Sequence, residues 1–143
     1  MHIGIVEDEP AIADMLVAML ELERHQVTVY RSGWGFLQAF SSGERYDVLL
    51  LDVGLPDGIS GLDILQTLAL KGVQLPVLIL TAAEYELARV HDIYPVVDLL
   101  RKPFRRVTLF AHLERLAVRS QQKPAALEDL AHPAKQGEQR QEQ

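Results

Sequence analysis

A chain of 143 residues can bury a real hydrophobic core as one domain, and its 48% apolar and 24% charged residues are typical of a soluble globular protein. It has no cysteine, which excludes disulfides and thiolate metal sites, and its net charge of -6 lacks the basic excess of a nucleic-acid-binding protein. No apolar run approaches the roughly 20 residues that span a bilayer, and no basic secretory segment precedes the first run, so we expect a cytoplasmic protein that binds neither membranes nor nucleic acid.

Five short apolar runs recur along the chain, each ending at a polar residue or a turn. The third and fourth runs, Val-Leu-Leu-Leu and Val-Leu-Ile-Leu, do not alternate with polar residues. Unbroken runs are typical of parallel strands that helices cover on both faces, although a buried helix could have the same pattern. The predicted strands are His2–Val6, Gln26–Tyr30, Val48–Leu51, Val77–Leu80 and Val96–Leu100.

Helical patterns fill the intervals between these strands. The first helix follows Pro10, which suits a first helical turn, and Ser60 is a good cap for the third. Weaker patterns cover Trp34–Phe40 and Glu84–Asp92, and a last helix begins near Arg105. Because strand and helix alternate five times, we predict an open parallel α/β sheet with helices on both faces. The apolar stripe of the first helix consists of Ile12, Met15, Leu16, Met19 and Leu20.

The composition changes after Ala117. From Gln121 onward the chain is rich in Gln, Lys, Glu, Ala and Pro, and Pro124 and Pro133 interrupt any long helix. Such a segment offers little apolar surface to bury. We therefore expect one domain over residues 1–120 and a polar, mostly disordered tail over residues 121–143.

Polar side chains follow four of the five predicted strands, at the point where each strand ends. In a parallel sheet these ends lie along one edge, which is where α/β folds bind their ligands. We expect a cluster of carboxylates there, together with one hydroxyl and one ammonium group. The residues concerned are Glu7, Asp8, Asp52, Thr81 and Lys102.

This set of groups suits phosphoryl transfer. Crowded carboxylates repel one another, and a hard divalent cation such as Mg²⁺ relieves that repulsion. Asp52 could then attack phosphorus and form an acyl phosphate, while Thr81 and Lys102 contact the phosphoryl oxygens. Each residue has an ordinary alternative as a helix cap or a loop charge. Their occurrence together, each directly after a strand, favours the phosphoryl site.

The same segments resemble the receiver domain of bacterial two-component response regulators. The resemblance covers about residues 1–120 and implies a flavodoxin-like (βα)5 fold, a single doubly wound five-stranded parallel sheet. It also implies a phosphorelay switch that takes a phosphoryl group from a histidine kinase or a histidine phosphotransfer protein. The matching segments are Ile5–Pro10, Leu49–Gly58, Leu78–Ala82 and Lys102–Phe104.

The resemblance also implies a role for each pocket residue. Asp52 would be the phosphoacceptor, and Asp8 and Asp52 would bind Mg²⁺ directly. Glu7 would assist, often through water, and the backbone carbonyl of Gly54 would complete the protein's share of the metal ligands.

Two further residues complete the implied reaction. Thr81 and Lys102 would contact phosphoryl oxygens, and the Lys102–Pro103 peptide bond would be cis. The protein would then be a signalling switch, and not an enzyme beyond catalysing its own phosphorylation and dephosphorylation. Its output would go to a downstream protein that the sequence does not identify.

Some features depart from the family pattern and keep other interpretations open. Leu99 stands where family members usually carry an aromatic switch residue, and the Glu84–Asp92 helix is expected to be short or irregular. These departures fit an alternative, a receiver-fold adaptor that binds a partner constitutively without phosphorylation. A phosphatase of the haloacid-dehalogenase type is disfavoured, because Gly54 occupies the place of its second acidic residue.

The context of the domain also stays open. No output domain follows residue 120, so we expect either a stand-alone receiver or a receiver from a longer regulator. A homodimer through the fourth and fifth helices is compatible with both.

Overall fold

The computed structural model describes residues 1–53, 59–82, 87–131, 136–138 and 140–142, without the side chains of residues 87 and 88 and of those from 119 onward. Within these residues strands and helices alternate, and two short strands follow that pair only with each other. The elements are β1 (His2–Val6), α1 (Pro10–Leu22), β2 (Gln26–Tyr30), α2 (Gly33–Ser41), β3 (Val48–Asp52), α3 (Gly61–Leu70), β4 (Val77–Thr81), α4 (Leu87–Ile93), β5 (Val97–Arg101), α5 (Arg106–Ala131), β6 (Gln136–Glu138) and β7 (Arg140–Glu142).

The first five strands form one parallel sheet in the order β2-β1-β3-β4-β5. The predicted doubly wound, five-stranded parallel sheet is therefore confirmed. The strand order reverses at β1, which pairs with β2 on one side and with β3 on the other. The carboxyl ends of β1 and β3 consequently lie side by side at the switch point, where folds of this class bind ligands.

The sheet separates two buried clusters, which explains the unbroken apolar runs. In β3, Leu49 and Leu51 belong to the cluster under α2, α3 and α4, whereas Val48 and Leu50 belong to the cluster under α1 and α5. Successive strand residues point to opposite faces, so a strand covered on both faces needs an apolar side chain at every position.

The helix boundaries follow local signals. Ser60 caps α3 by accepting a hydrogen bond from the backbone of Asp63, whose side chain accepts one in return from the backbone of Ser60. This reciprocal capping box is a strong start signal, and the predicted cap at Ser60 is confirmed. Ser32 caps α2 in a simpler way, through the backbone N–H of Gly35.

One helix is longer than predicted, and another can be compared with its prediction only in part. The described part of α4 spans Leu87–Ile93, and residues 84–86 of the predicted helix lie outside the described residues. Helix α5 continues to Ala131 and includes Pro124, beyond the domain end predicted at residue 120. The division into a domain and a tail stays a prediction. No helix in the described part of the chain combines the length and apolar character needed to cross a membrane.

Candidate functional site

The switch point between β1 and β3 holds the carboxylates that the sequence singles out. Glu7 and Asp8 directly follow β1, and Asp52 is the last residue of β3. Val6 of β1 is in register with Leu51 of β3, so the next residue of each strand, Glu7 and Asp52, lie beside one another. Strand pairing therefore places these acidic groups together.

The three carboxylates form a compact cluster. One carboxylate oxygen from each of Glu7, Asp8 and Asp52 lies within 4.8 Å of the others. The Glu7 side chain is 2% exposed and that of Asp52 is 12% exposed. Glu7 is thus the buried floor of the cluster, while Asp52 is partly exposed.

One ammonium group reaches this cluster from the far side of β4. Lys102 Nζ lies 3.3 Å from Glu7 Oε1 and 3.6 Å from Asp52 Oδ2. The backbone N–H of Lys102 donates to the carbonyl of Thr81 at 2.7 Å, which fixes the residue against the end of β4. The Lys102–Pro103 peptide bond is cis, the isomer that the resemblance implies. We call Glu7, Asp8, Asp52 and Lys102 the acidic pocket.

Among the described residues, three carboxylates lie around one ammonium in the acidic pocket. Burial raises the pKa of Glu7 above its ordinary value, and the charge of Asp52 raises it further. The backbone N–H of Glu9, which donates to Glu7 at 3.2 Å, and the Lys102 ammonium both oppose this rise in pKa. The net direction is upward, because burial and the charge of Asp52 together outweigh the two opposing effects.

The structure describes every site residue predicted from the sequence except Gly54. It brings Glu7, Asp8, Asp52 and Lys102 together. Thr81 is buried at the end of β4, one position beyond Leu80, which is in register with Asp52. Gly54, the expected carbonyl ligand, lies outside the described residues.

Two contacts at the site were not foreseen from the sequence. The backbone N–H of Glu9 supports the Glu7 carboxylate. Gly61 lies against the backbone directly after Asp52. Neither has a signature in residue type or spacing, since each depends on main-chain positions that hydrophobic patterns do not record.

The donor set fits a hard divalent cation. Carboxylate oxygens are the ligands that Mg²⁺ prefers, and Mg²⁺ usually takes one or two of them and keeps several waters. The spacing of the three carboxylates and the partial exposure of Asp52 are compatible with that coordination. A divalent cation would also lessen the repulsion among these carboxylates.

A sequence model of the response regulator receiver domain matches residues 3–114. The chain belongs to this family. Among curated relatives, the transcriptional regulatory proteins YkoG of Bacillus subtilis and CreB of Escherichia coli are 40% and 41% identical to it, over 82% and 71% of this chain. The receiver covers only 51% and 44% of their respective lengths, so it spans about half of these relatives.

Solved structures agree with the family assignment. The response regulator TrrA from Thermotoga maritima, determined in complex with Mg²⁺ and BeF, is 28% identical, with a TM-score of 0.70 over 80% of this chain and 97% of that one. The fold of this receiver domain is therefore shared with a protein whose structure includes Mg²⁺.

Proposed function

We propose that this receiver domain accepts a phosphoryl group on Asp52 in a Mg²⁺-dependent reaction and acts as a cytoplasmic phospho-switch. The donor would be a histidine kinase or a histidine phosphotransfer protein. One observation carries the proposal: the accessible Asp52 carboxylate lies in a cluster with two further carboxylates and within 3.6 Å of the Lys102 ammonium. A nucleophile, a cation site and a fixed positive charge are the groups that phosphoryl transfer needs.

The reaction itself is a simple displacement. An Asp52 oxygen attacks phosphorus, the P–N bond to the donor imidazole breaks, and the imidazole leaves with its electron pair and takes up a proton. When bound, Mg²⁺ would supply positive charge to the phosphoryl oxygens. Glu7, Asp8 and Asp52 are the residues that would hold it. The product is an acyl phosphate, which water later hydrolyses back to the carboxylate.

Two residues of the chain would stabilise the transferred group. Lys102 is already held within the pocket by Glu7 and can turn its ammonium towards phosphoryl oxygens without leaving the site. Thr81, at the end of the neighbouring strand, would donate its hydroxyl to another oxygen. Both effects are electrostatic preorganisation, which accounts for most of the catalysis in reactions of this kind.

The output would be a change in affinity for a downstream protein, so the domain is a switch and not an enzyme with an external substrate. Phosphorylation can shift a two-state equilibrium only by interacting differently with the two states. Homologous regulators are named for transcription, and we propose that this chain acts through a protein partner and not by binding nucleic acid itself.

A second candidate function rests on Leu99. Its side chain packs partly buried against the cluster under α2, α3 and α4. A leucine there cannot act as the aromatic switch of other family members, which favours an adaptor that binds its partner constitutively. Partner binding that is unchanged by Asp52→Ala and by Mg²⁺ removal would support the adaptor and exclude the switch.

Phosphorylation can be tested on the whole chain. The protein is incubated with phosphoramidate and Mg²⁺, and its intact mass is measured over time. We expect one phosphoryl adduct on the wild type, none on Asp52→Asn, and none after chelation of Mg²⁺. Asp92→Asn, which removes an exposed carboxylate on α4, is the matched control and should react like the wild type. An unmodified wild type, or an equally modified Asp52→Asn, would refute the proposal.

A further inference from the structure

The start of helix α3 lies directly against the main chain that carries Asp52. Gly61 is the first residue of α3, and its backbone N–H points to the carbonyl of Val53 at 3.4 Å. A Cβ atom added to Gly61 would stand 2.7 Å from Val53 Cα, 2.9 Å from Val53 Cγ1 and 3.1 Å from the carbonyl oxygen of Asp52. Carbon atoms in contact normally lie about 3.5–4.0 Å apart, so any side chain at this position requires a displacement.

A side chain at position 61 would clash with main-chain atoms, so a change of side-chain rotamer cannot relieve the clash. Val53 Cγ1 could rotate away, but Val53 Cα and the Asp52 carbonyl belong to the main chain. Either the end of β3 or the start of α3 must therefore move. The end of β3 is the peptide unit that positions the phosphoacceptor carboxylate.

Of the two contacting segments, the start of α3 is held more firmly than the end of β3. Its first turn is held by the reciprocal hydrogen bonds between Ser60 and Asp63. Its inner face is fixed by Ile64, Leu65 and Leu68, all fully buried under the sheet. By contrast, β3 ends at Asp52, and the Asp52 side chain is partly exposed. The steric clash of a side chain at position 61 is therefore relieved most easily by displacing Asp52 and Val53.

We propose that Gly61 is a positioning residue for phosphorylation at Asp52, an inference that rests on the function proposed above. The absence of a side chain at Gly61 sets the distance between α3 and the end of β3, and through it the place of the Asp52 carboxylate in the acidic pocket. Catalytic groups must be held within about 0.5 Å of productive geometry, and a misplacement of about 1 Å can lower a rate roughly 100-fold.

A matched glycine elsewhere in the fold separates this effect from helix propensity. Gly35 also lies in the first turn of a helix with a serine cap, α2, but a Cβ there would meet only Ser32 Oγ at 3.3 Å and Tyr30 Cδ1 at 3.9 Å. Alanine is intrinsically the better helix former at both sites. A loss of activity confined to Gly61→Ala therefore reports the contact with the β3 backbone.

The test compares wild type, Gly61→Ala and Gly35→Ala in phosphorylation by phosphoramidate at saturating Mg²⁺. Rates are measured against donor concentration and divided by the folded fraction from circular dichroism. We expect the maximal rate of Gly61→Ala to fall at least roughly tenfold with little change in the half-saturating donor concentration. Gly35→Ala should stay within about twofold of the wild type. A merely structural role would lower the folded fraction and leave the normalised maximal rate unchanged.

A double variant tests the role of the backbone. Val53→Ala removes the Cγ1 contact but leaves Val53 Cα in place, so Val53→Ala with Gly61→Ala should stay as slow as Gly61→Ala alone. Full recovery in the double variant would show that a side-chain clash is the cause and would overturn the inference.

The remaining outcomes are equally decisive. A normal maximal rate in Gly61→Ala overturns the positioning role while phosphorylation of the wild type stands. A wild type that takes no phosphate removes the proposed function itself. If Gly61→Ala is unfolded in buffer, the assay is repeated in a stabilising osmolyte. Failure to fold there would also contradict the inference, since the clash would then be relieved by unfolding and not by moving Asp52.

Discussion

The described residues of this receiver domain include two clusters of charged side chains that are built in opposite ways. The acidic pocket places three carboxylates around one ammonium. The second cluster joins β5 to α5 and places one carboxylate between two basic groups: Asp98 Oδ2 lies 2.7 Å from His112 Nδ1 and 3.2 Å from an Arg115 guanidinium nitrogen. We call these three residues the Asp98 cluster.

The two clusters shift the pKa values of their central carboxyl groups, Glu7 and Asp98, in opposite directions. Burial raises the pKa of Glu7, and the charge of Asp52 adds to it. Burial also acts to raise the pKa of Asp98, but hydrogen bonds from His112, the backbone of Leu99 and Arg115 outweigh it, so the pKa of Asp98 is lowered. The carboxylate of the Asp98 cluster is paired with two basic groups, so we expect the cluster to stabilise the fold. In the acidic pocket the described carboxylates outnumber the ammonium, so we expect a bound cation to stabilise it.

The largest expected effect is therefore stabilisation by Mg²⁺ through the acidic pocket. At a free Mg²⁺ concentration of 100 times its Kd, the free energy of unfolding of the wild type should rise by about 2.7 kcal/mol, as urea unfolding would measure. Asp8→Asn should lose most of this gain, whereas Asp92→Asn and Asp98→Ala should keep it. Equal stabilisation of Asp8→Asn would show that the cation binds elsewhere.

Removing the carboxylate of the Asp98 cluster should have a smaller effect that does not depend on metal. Asp98→Ala leaves two basic groups without their partner, so we expect a loss of about 2 kcal/mol at pH 7, whether or not Mg²⁺ is present. Arg115 is mostly exposed and contributes little of this. Asp92→Ala is the control for loss of one negative charge. A loss no larger than that of the control would mean that the cluster does not stabilise the fold.

The pH dependence of that loss has a definite sign. Because the folded-state pKa of Asp98 lies below its ordinary value of 3.8, its stabilisation is fully present above about pH 3.8 and disappears as the pH falls through the lower folded-state pKa. The stability difference between wild type and Asp98→Ala should therefore shrink in acid. A difference that persists unchanged below that range would contradict the ion-pair explanation.

The smallest effect is expected at the buried floor of the acidic pocket. The folded-state pKa of Glu7 lies above its ordinary value of 4.5. The contribution of this carboxyl to the stability of the fold is therefore fully present below pH 4.5 and is lost as the pH rises through the folded-state pKa. Glu7→Gln removes that loss and should stabilise the metal-free protein by about 1 kcal/mol at pH 7, with no gain below pH 4.5. Urea unfolding with a chelator measures this, and Glu114→Gln, at an exposed position of α5, is the control. Destabilisation by Glu7→Gln at pH 7 would show that its pairing with Lys102 outweighs the repulsion.

The two regions also differ in how far the sequence predicted them. The acidic pocket was predictable because its residues directly follow apolar strands, and parallel strands bring their carboxyl ends to one edge. Strands β3, β4 and β5 each end one residue later than predicted, since Asp52, Thr81 and Arg101 are polar but still belong to their strands. Hydrophobic runs alone therefore place a strand end slightly early.

The Asp98 cluster and the Gly61 contact could not be read from the sequence. Asp98 and His112 are 14 residues apart and meet only because α5 packs back on β5. Gly61 approaches the Val53 backbone where the start of α3 meets the end of β3, and no residue pattern marks that contact. The hydrophobic pattern of a helix or strand predicts which of its faces is buried, but it does not predict which side chains come into contact between two packed elements.

The most direct test of the central claim is to locate the phosphoryl group. Borohydride reduces an aspartyl phosphate to homoserine, so the protein is treated with phosphoramidate and Mg²⁺, reduced, digested and mapped by mass spectrometry. We predict homoserine at position 52 alone, in a yield that falls at least about tenfold when Mg²⁺ is chelated. Modification of Glu7 or Asp8 instead, or modification of Asp52 at the same yield without Mg²⁺, would contradict the account.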